Sequence, residues 1–205
     1  MTQYFENNNS LKNNRESHQV IIKNQRYTFI TDNGVFSKRG LDFGTRTLLE
    51  TIPLDRINGN VLDVGCGYGP IGIFIKHNTN ALVDMIDVNN RSIELAKINA
   101  DKNNVKVNIF NSDGYQNINK KYDFIITNPP VRVGKTILYR LLFDAKKYLV
   151  DNGELWLVIN KNQGAKSLMK DLEKEYETKL IKKNKGFYII QAINRWQLDR
   201  NTIKL

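Results

Sequence analysis

Cysteine occurs once in the 205 residues, at Cys66, and histidine twice, at His18 and His77. No disulfide can close within the chain, and thiolate and imidazole ligands are too few for a zinc cluster, so metal catalysis is not expected. No apolar run approaches the roughly 20 residues that a bilayer-spanning helix takes, and the opening MTQYFENNNSLKNN has none of the apolar centre of an export signal. These absences point to the cytoplasm and to no membrane partner. Linker-like stretches rich in proline, glycine and serine are missing too, so a single domain over residues 18–205 is expected behind a flexible N-terminus, 1–17. Acidic residues are the scarcer charge: 21 Asp and Glu face 31 Lys and Arg, a net +10. Residues 161–205 carry 11 basic and 5 acidic side chains, hence +6 of that surplus. A polyanion such as RNA suits this balance, although acidic lipid heads or simple solubility would be served equally.

What the chain does contain is rhythm. QVIIKNQRYTFIT, from Gln19 to Thr31, reads as two strands broken at Lys23-Asn24-Gln25. GVFSKRGLDFGTRTLLETI follows, a glycine-marked loop and then a helix capped by Thr45 and carrying Leu48, Leu49 and Ile52. From residue 60 short buried strands alternate with amphipathic helices: NVLDVGC, ALVDMIDV, VKVNIFNS, YDFIITN, ELWLVINK, ETKLIKKN and FYIIQAINR are strand-like, with helical spacing near 70–77, 91–103, 135–149 and 163–175. The expected fold is α/β: a Rossmann-like sheet of seven strands, mostly parallel, with helices on both faces and a short N-terminal β extension. Only Asn184-Lys185-Gly186 separates the last two strands, which predicts an antiparallel hairpin and sets this ending apart from a nicotinamide-binding Rossmann domain.

Chemistry concentrates at the carboxyl ends of these strands. VLDVGCGYGPIG sets Gly65, Gly67 and Gly69 behind Asp63, where a tight turn passes close to a ligand; a plain strand-to-helix turn needs one glycine, not three. Pro70 stands where the dinucleotide fingerprint requires its third glycine. Asp87 ends the second of these strands and suits a ribose diol, or else it caps the next helix, work that Asn89 or Asn90 can do. Asp113 in NSDGY is placed to accept from an adenine amino group, though Asp-Gly is also an ordinary turn. Asn128-Pro129-Pro130 is the sharpest signal: two prolines remove two donors and stiffen a turn, leaving the Asn128 amide oxygen and the Pro129 carbonyl as acceptors for a planar NH2 group.

These segments, in this order and spacing, resemble the class I S-adenosylmethionine-dependent methyltransferases. GVFSKRGLDFGTRTLLE and NPPVRVGK are similar, more narrowly, to the small-subunit ribosomal RNA guanine-N2 methyltransferases of the RsmC type and their single-domain relatives, over Gln19 to Arg195. The resemblance implies the methyltransferase form of the sheet, S-adenosylmethionine as cofactor and RNA as partner. It assigns Asp63, Gly65, Gly67, Gly69, Asp87, Asp113 and Asn128 to the cofactor, Asn128, Pro129 and Pro130 to catalysis, and Phe36, Gly40, Asp42 and Gly44 to a lid. Val131 replaces the aromatic that often follows the prolines, which shifts base stacking to Phe36 or Phe43. Lys38, Arg39, Arg132 and Lys135 are candidates for flanking phosphates, or else a solvated loop and helix start. Lys182, Lys183 and Lys185 form either a docking edge or a guard against strand pairing. Cys66 is expected to be a small buried side chain without catalytic work. The second, degenerate domain of the larger RsmC proteins has no counterpart here. A protein glutamine methyltransferase and an inactive binding module are the competing readings.

Overall fold

The computed structural model describes residues 14–38, 40–130 and 134–195. Its first elements are an antiparallel hairpin, β1 (Glu16–Ile22) and β2 (Gln25–Thr31). β1 starts ahead of the expected Gln19 and takes in residues 16 and 17 of the expected flexible segment, because Glu16 and Ser17 complete the ladder opposite Thr31 and Ile30. The outer edge of β2 is satisfied by side chains. Asn99 exchanges bonds with the backbone of Ile30, at 2.6 and 2.9 Å, and Asn103 with that of Thr28, at 3.0 and 2.8 Å. Two amides thus imitate a neighbouring strand and fasten the hairpin to a helix that contains Asn99.

Helix α1 (Phe43–Thr51) comes next, and its cap is Asp42, not the expected Thr45. Asp42 is extended, and its Oδ1 accepts from Thr45 N at 3.0 Å, so the helix starts one turn earlier than Thr45 capping would allow. The remaining elements alternate as the sequence predicts: β3 (Asn60–Val64), α2 (Pro70–Asn78), β4 (Leu82–Asp87), α3 (Asn90–Lys102), β5 (Asn108–Asn111), β6 (Tyr122–Thr127), α4 (Lys135–Tyr148), β7 (Leu149–Asn160), α5 (Ala165–Leu172), β8 (Glu177–Asn184) and β9 (Phe187–Ile193). β7 begins five residues before the predicted Glu154, since Leu149 already pairs with Tyr122 and a register shift carries the chain to the Phe124–Glu154 pair.

The seven strands lie in the order β5-β4-β3-β6-β7-β9-β8, all parallel except β9, which runs antiparallel between β7 and β8. Alternation along each strand feeds two cores. Val61, Trp156 and Val158 join the α1, α2 and α3 side with Leu48, Phe74 and Leu95; Leu62, Leu157 and Ile159 join the α4 and α5 side with Leu142 and Leu168. Helices therefore cover both faces. Chain progression reverses between β3 and β6, and at such a switch point the strand ends leave a crevice that an open α/β sheet uses for ligands.

Candidate active site

On the β3 side of the crevice, Asp63 is fully buried and its Oδ2 accepts from Gly72 N at 2.8 Å, while Oδ1 has no hydrogen-bond partner among the described residues. Burial pushes this carboxyl up to about 7; the Asp87 charge adds to the rise and the Gly72 bond opposes it. Gly65 and Gly67 have positive φ, 69° and 57°, and a Cβ on either would meet nothing within 4 Å, so backbone is open to an approaching ligand there. Gly69 differs from them. It is the left-handed N-cap of α2, and a Cβ would lie 2.9 Å from Met85 Cε and 3.3 Å from Ala96 Cβ, so the missing side chain permits close packing there. Gly72, which the sequence reading passed over, does the same one turn later, with Met85 Cγ only 2.5 Å from where a Cβ would be. Its spacing of three from Gly69 was the available signal.

Asp87 buckles the glycine loop to β4. Its Oδ2 accepts from Gly67 N at 2.9 Å and its Oδ1 from Asn89 N at 2.8 Å. Burial raises its pKa against the pull of those backbone donors. The capping of α3 falls to Asn89, whose side chain accepts from Arg91 N, so Asp87 is not the cap. Asp113 follows on the next strand end, where Ser112 N donates to Asp87 O at 3.0 Å, but its own carboxylate is exposed and pairs with Arg140 at 3.2 Å. Asp63, Gly65, Gly67 and Asp87 thus share one cradle, with Asp113 on its rim. Cys66 is buried in the same loop and burial holds its thiol well above the usual range, which keeps it un-ionised.

Asn128 stands across the switch point at the end of β6, which Thr127 Oγ1 ties to Val64 O at 2.8 Å. Its amide nitrogen donates to Thr45 Oγ1 at 2.9 Å and lies 3.4 and 3.5 Å from the two Asp42 oxygens. Thr45 gives its own hydroxyl hydrogen to Asp42 Oδ2 at 2.5 Å, which leaves a lone pair for Asn128. A carboxylate and a committed hydroxyl are both acceptors toward that amide, so turning it over would set oxygen against oxygen. Asn128 Oδ1 is consequently presented as an acceptor. The resemblance implies a lid role for Asp42 and the spacing a cap role for Thr45, whereas in the fold the two together orient Asn128. The buried Tyr68 hydroxyl also lacks a partner among the described residues; burial, and then the Asp42 charge, raise its pKa.

Of the other candidates, Phe36 is 50% exposed, whereas Lys38 is engaged: its ammonium pairs with Glu16 at 3.3 Å and its carbonyl accepts from Thr31 Oγ1 at 2.6 Å. Gly40, at φ 100°, lies against the His18 ring. Gly44 sits inside α1, where a Cβ would press to 2.8 Å from the Phe187 ring. Phe43 packs on Phe187 with ring centres 5.7 Å apart, and Lys135 lies over Tyr139 at 4.8 Å. Arg39, Val131 and Arg132 lie outside the described residues.

A family model described as the methyltransferase small domain matches residues 26–191. The Bacillus subtilis (strain 168) protein YbxB is 40% identical over 194 residues, covering 92% of this chain and 96% of that protein. Ribosomal RNA small subunit methyltransferase C of Haemophilus influenzae KW20 Rd is 42% identical over 132 residues, 62% of this chain and 40% of the relative. The counterpart from Buchnera aphidicola is 32% identical over 78% of this chain, so the chain spans 40 to 48% of these two longer proteins. Among solved structures, the T. thermophilus 16S rRNA N2 methyltransferase RsmC, in complex with AdoMet and guanosine, superposes with TM-score 0.81 at 24% identity over 88% of this chain and 51% of that one. A methyltransferase from Pyrococcus furiosus gives 0.63 at 21% identity over 73% of this chain and 81% of that one. Both show the same fold. With its sheet order, its glycine cradle and a family match that runs from β2 into β9, the chain belongs to the methyltransferase small domain family and is a methyltransferase.

Proposed function

We propose that this chain transfers a methyl group from S-adenosylmethionine to the exocyclic N2 amino group of a guanine in small-subunit ribosomal RNA, and that the single domain expected over residues 18–205 carries the reaction. The observation that supports it most is the fixed amide of Asn128, its nitrogen turned to Asp42 and Thr45 and its oxygen left to accept, across the switch point from the open backbone of Gly65 and Gly67. The relatives named for small-subunit ribosomal RNA methylation favour RNA as the acceptor. The surplus of positive charge suits it.

The residues of the cradle fit the cofactor. Gly65 and Gly67 leave room for its methionine and ribose portions, the Asp87 carboxylate retains acceptor capacity for ribose hydroxyls, and Asp113 can take the adenine amino group by releasing Arg140. When bound, the cofactor supplies a methyl group already activated by its positive sulfur. The protein's task is then to prepare the nucleophile. Asn128 Oδ1 and the Pro129 carbonyl accept the two amino hydrogens, which draws the nitrogen lone pair out of conjugation and points it at the methyl carbon. With the cofactor bound, the amino nitrogen held by Asn128 and Pro129 would take its methyl group, the cofactor would leave as a neutral thioether, and the extra proton on nitrogen would pass to water. Pro129 and Pro130 hold the turn stiff, and Phe36 and Lys135 are the described residues assigned to the flanking RNA, which Lys38 can join only by releasing Glu16.

The test is incubation with methyl-labelled cofactor and an undermethylated small subunit, its naked RNA, guanosine, or a release-factor peptide bearing glutamine. Label recovered as N2-methylguanosine is the expected result. Label in the glutamine amide, or in no acceptor, would overturn the proposal.

A further inference from the structure

Two hairpin turns in this molecule carry lysine at a position that lysine does not suit. The β1–β2 turn has Lys23 and Asn24 at φ 45° and 65°, and the β8–β9 turn has Lys185 and Gly186 at φ 44° and 85°. Both central residues of such a turn are left-handed, a conformation favoured by Asn-Gly and strained for a long side chain. In the first turn the lysine has structural work: Lys23 Nζ donates to Ile52 O at 2.9 Å, at the carboxyl end of α1. Lys185 has no oxygen partner among the described residues. It is exposed, and its ammonium stands 5.4 Å from the centre of the Phe43 ring.

That ring belongs to the acceptor side of the site. Phe43 directly follows Asp42, which helps to hold Asn128, and it packs against Phe187 at the start of β9. The turn is bound to the neighbouring strand end as well, for Lys161 N donates to Gly186 O at 2.7 Å and the Lys161 side chain runs beneath Gly186. Lys161 is exposed. The tip therefore stands two strands from β6, about 10 Å at the usual strand spacing, on the same carboxyl edge as Asn128. Lys182 and Lys183 differ in place, lying on the edge strand β8, where they oppose strand pairing.

Resting on the RNA-methylation reading, we propose that the β8–β9 tip is the docking edge for the RNA strand beside the target guanine, with Lys185, held over Phe43, and Lys161 each taking a phosphate. Charge favours this occupant, since residues 161–205 hold most of the net positive charge. The strain in the turn is the mark of a side chain retained for something other than the turn itself.

The informative variant is Lys185→Asn, which makes the turn Asn-Gly and so removes the cation while improving the local backbone. Binding of a fluorescein-labelled, guanine-containing single-stranded oligoribonucleotide is followed by anisotropy across a salt series, with Lys185→Arg beside it. Lys185→Asn is expected to weaken RNA binding by about three- to tenfold at low salt and to lower the salt slope by about 0.7, the value for one lost single-strand phosphate contact. Its melting temperature should be at or above that of the wild type and its methylation of free guanosine should match it, and Lys185→Arg should keep wild-type affinity and slope. Unchanged RNA affinity and slope in Lys185→Asn would overturn the docking edge while guanosine methylation still stood. Loss of binding to a glutamine-bearing peptide in place of RNA would overturn it in favour of a protein acceptor. A wild type that methylates no nucleoside or RNA would instead sink the parent reading.

Discussion

The two sides of the crevice are built on different principles. On the cofactor side the carboxylates are tied to backbone close by in sequence: Asp63 to Gly72, nine residues on, and Asp87 to Gly67, 20 residues back. On the acceptor side Asn128 is held by side chains 83 and 86 residues away, Thr45 and Asp42, carried on a helix that precedes the sheet. The first side is a property of the βαβ unit. The second exists only once α1 has docked against β7 and β9 and brought Asp42 and Thr45 to Asn128, so substrate chemistry can be altered through α1 while the cradle stays intact.

Substitutions on each side should break this comparison cleanly. Asn128→Ala is expected to lower kcat by about a hundred- to a thousandfold, the range for losing one preorganised polar contact to the reacting group, with cofactor affinity by calorimetry nearly unchanged. Asp87→Ala should do the reverse and weaken cofactor binding first. If both variants lost affinity and rate together, the two halves would not be separable.

Asp63 sharpens the cofactor side through pH. Its folded pKa, about 7, lies above the usual 3.8, so ionisation costs more in the fold than in the unfolded chain. The associated stability is complete below about pH 4 and is lost as pH rises through about 7. Asp63→Asn keeps an acceptor for Gly72 N but cannot ionise. Between pH 5 and pH 8 it should lose less stability than the wild type, by on the order of 2 kcal/mol; parallel melting curves over that range would show that burial of the charge is not the dominant effect.

Asp42→Asn is the mildest of these changes and tests the acceptor side. Asparagine caps a helix about as well as aspartate, so stability should stay within about 0.5 kcal/mol of the wild type. The carboxylate that fixes the Asn128 amide is gone, however, and kcat should drop by about tenfold, near 1.4 kcal/mol. Unchanged kcat would reduce Asp42 to a cap.

What could be read from the sequence follows the same division. Strand and helix periods, the glycine loop and the Asn-Pro-Pro turn are local patterns, and the seven-stranded sheet with its antiparallel β9 follows from them. The distinction among the glycines was out of reach, because only the approach of Met85 from β4 turns Gly69 and Gly72 into packing residues while Gly65 and Gly67 stay open. Thr45 looked like a cap by spacing alone, yet its hydroxyl is shared between Asp42 and Asn128. The pairing of Lys38 with Glu16 was equally out of reach, because only the hairpin brings the two together. Each of these misses involves a partner supplied by a distant segment.

The central claim is that the Asn128 oxygen grips an amino group while its own nitrogen stays with Asp42 and Thr45. A crystal structure of the protein with S-adenosylhomocysteine and guanosine measures this directly. The account predicts the guanine N2 within about 3.2 Å of Asn128 Oδ1, on the side facing the cofactor sulfur. An Asn128 amide turned over to donate to the base, or a guanine seated away from it, would contradict the account.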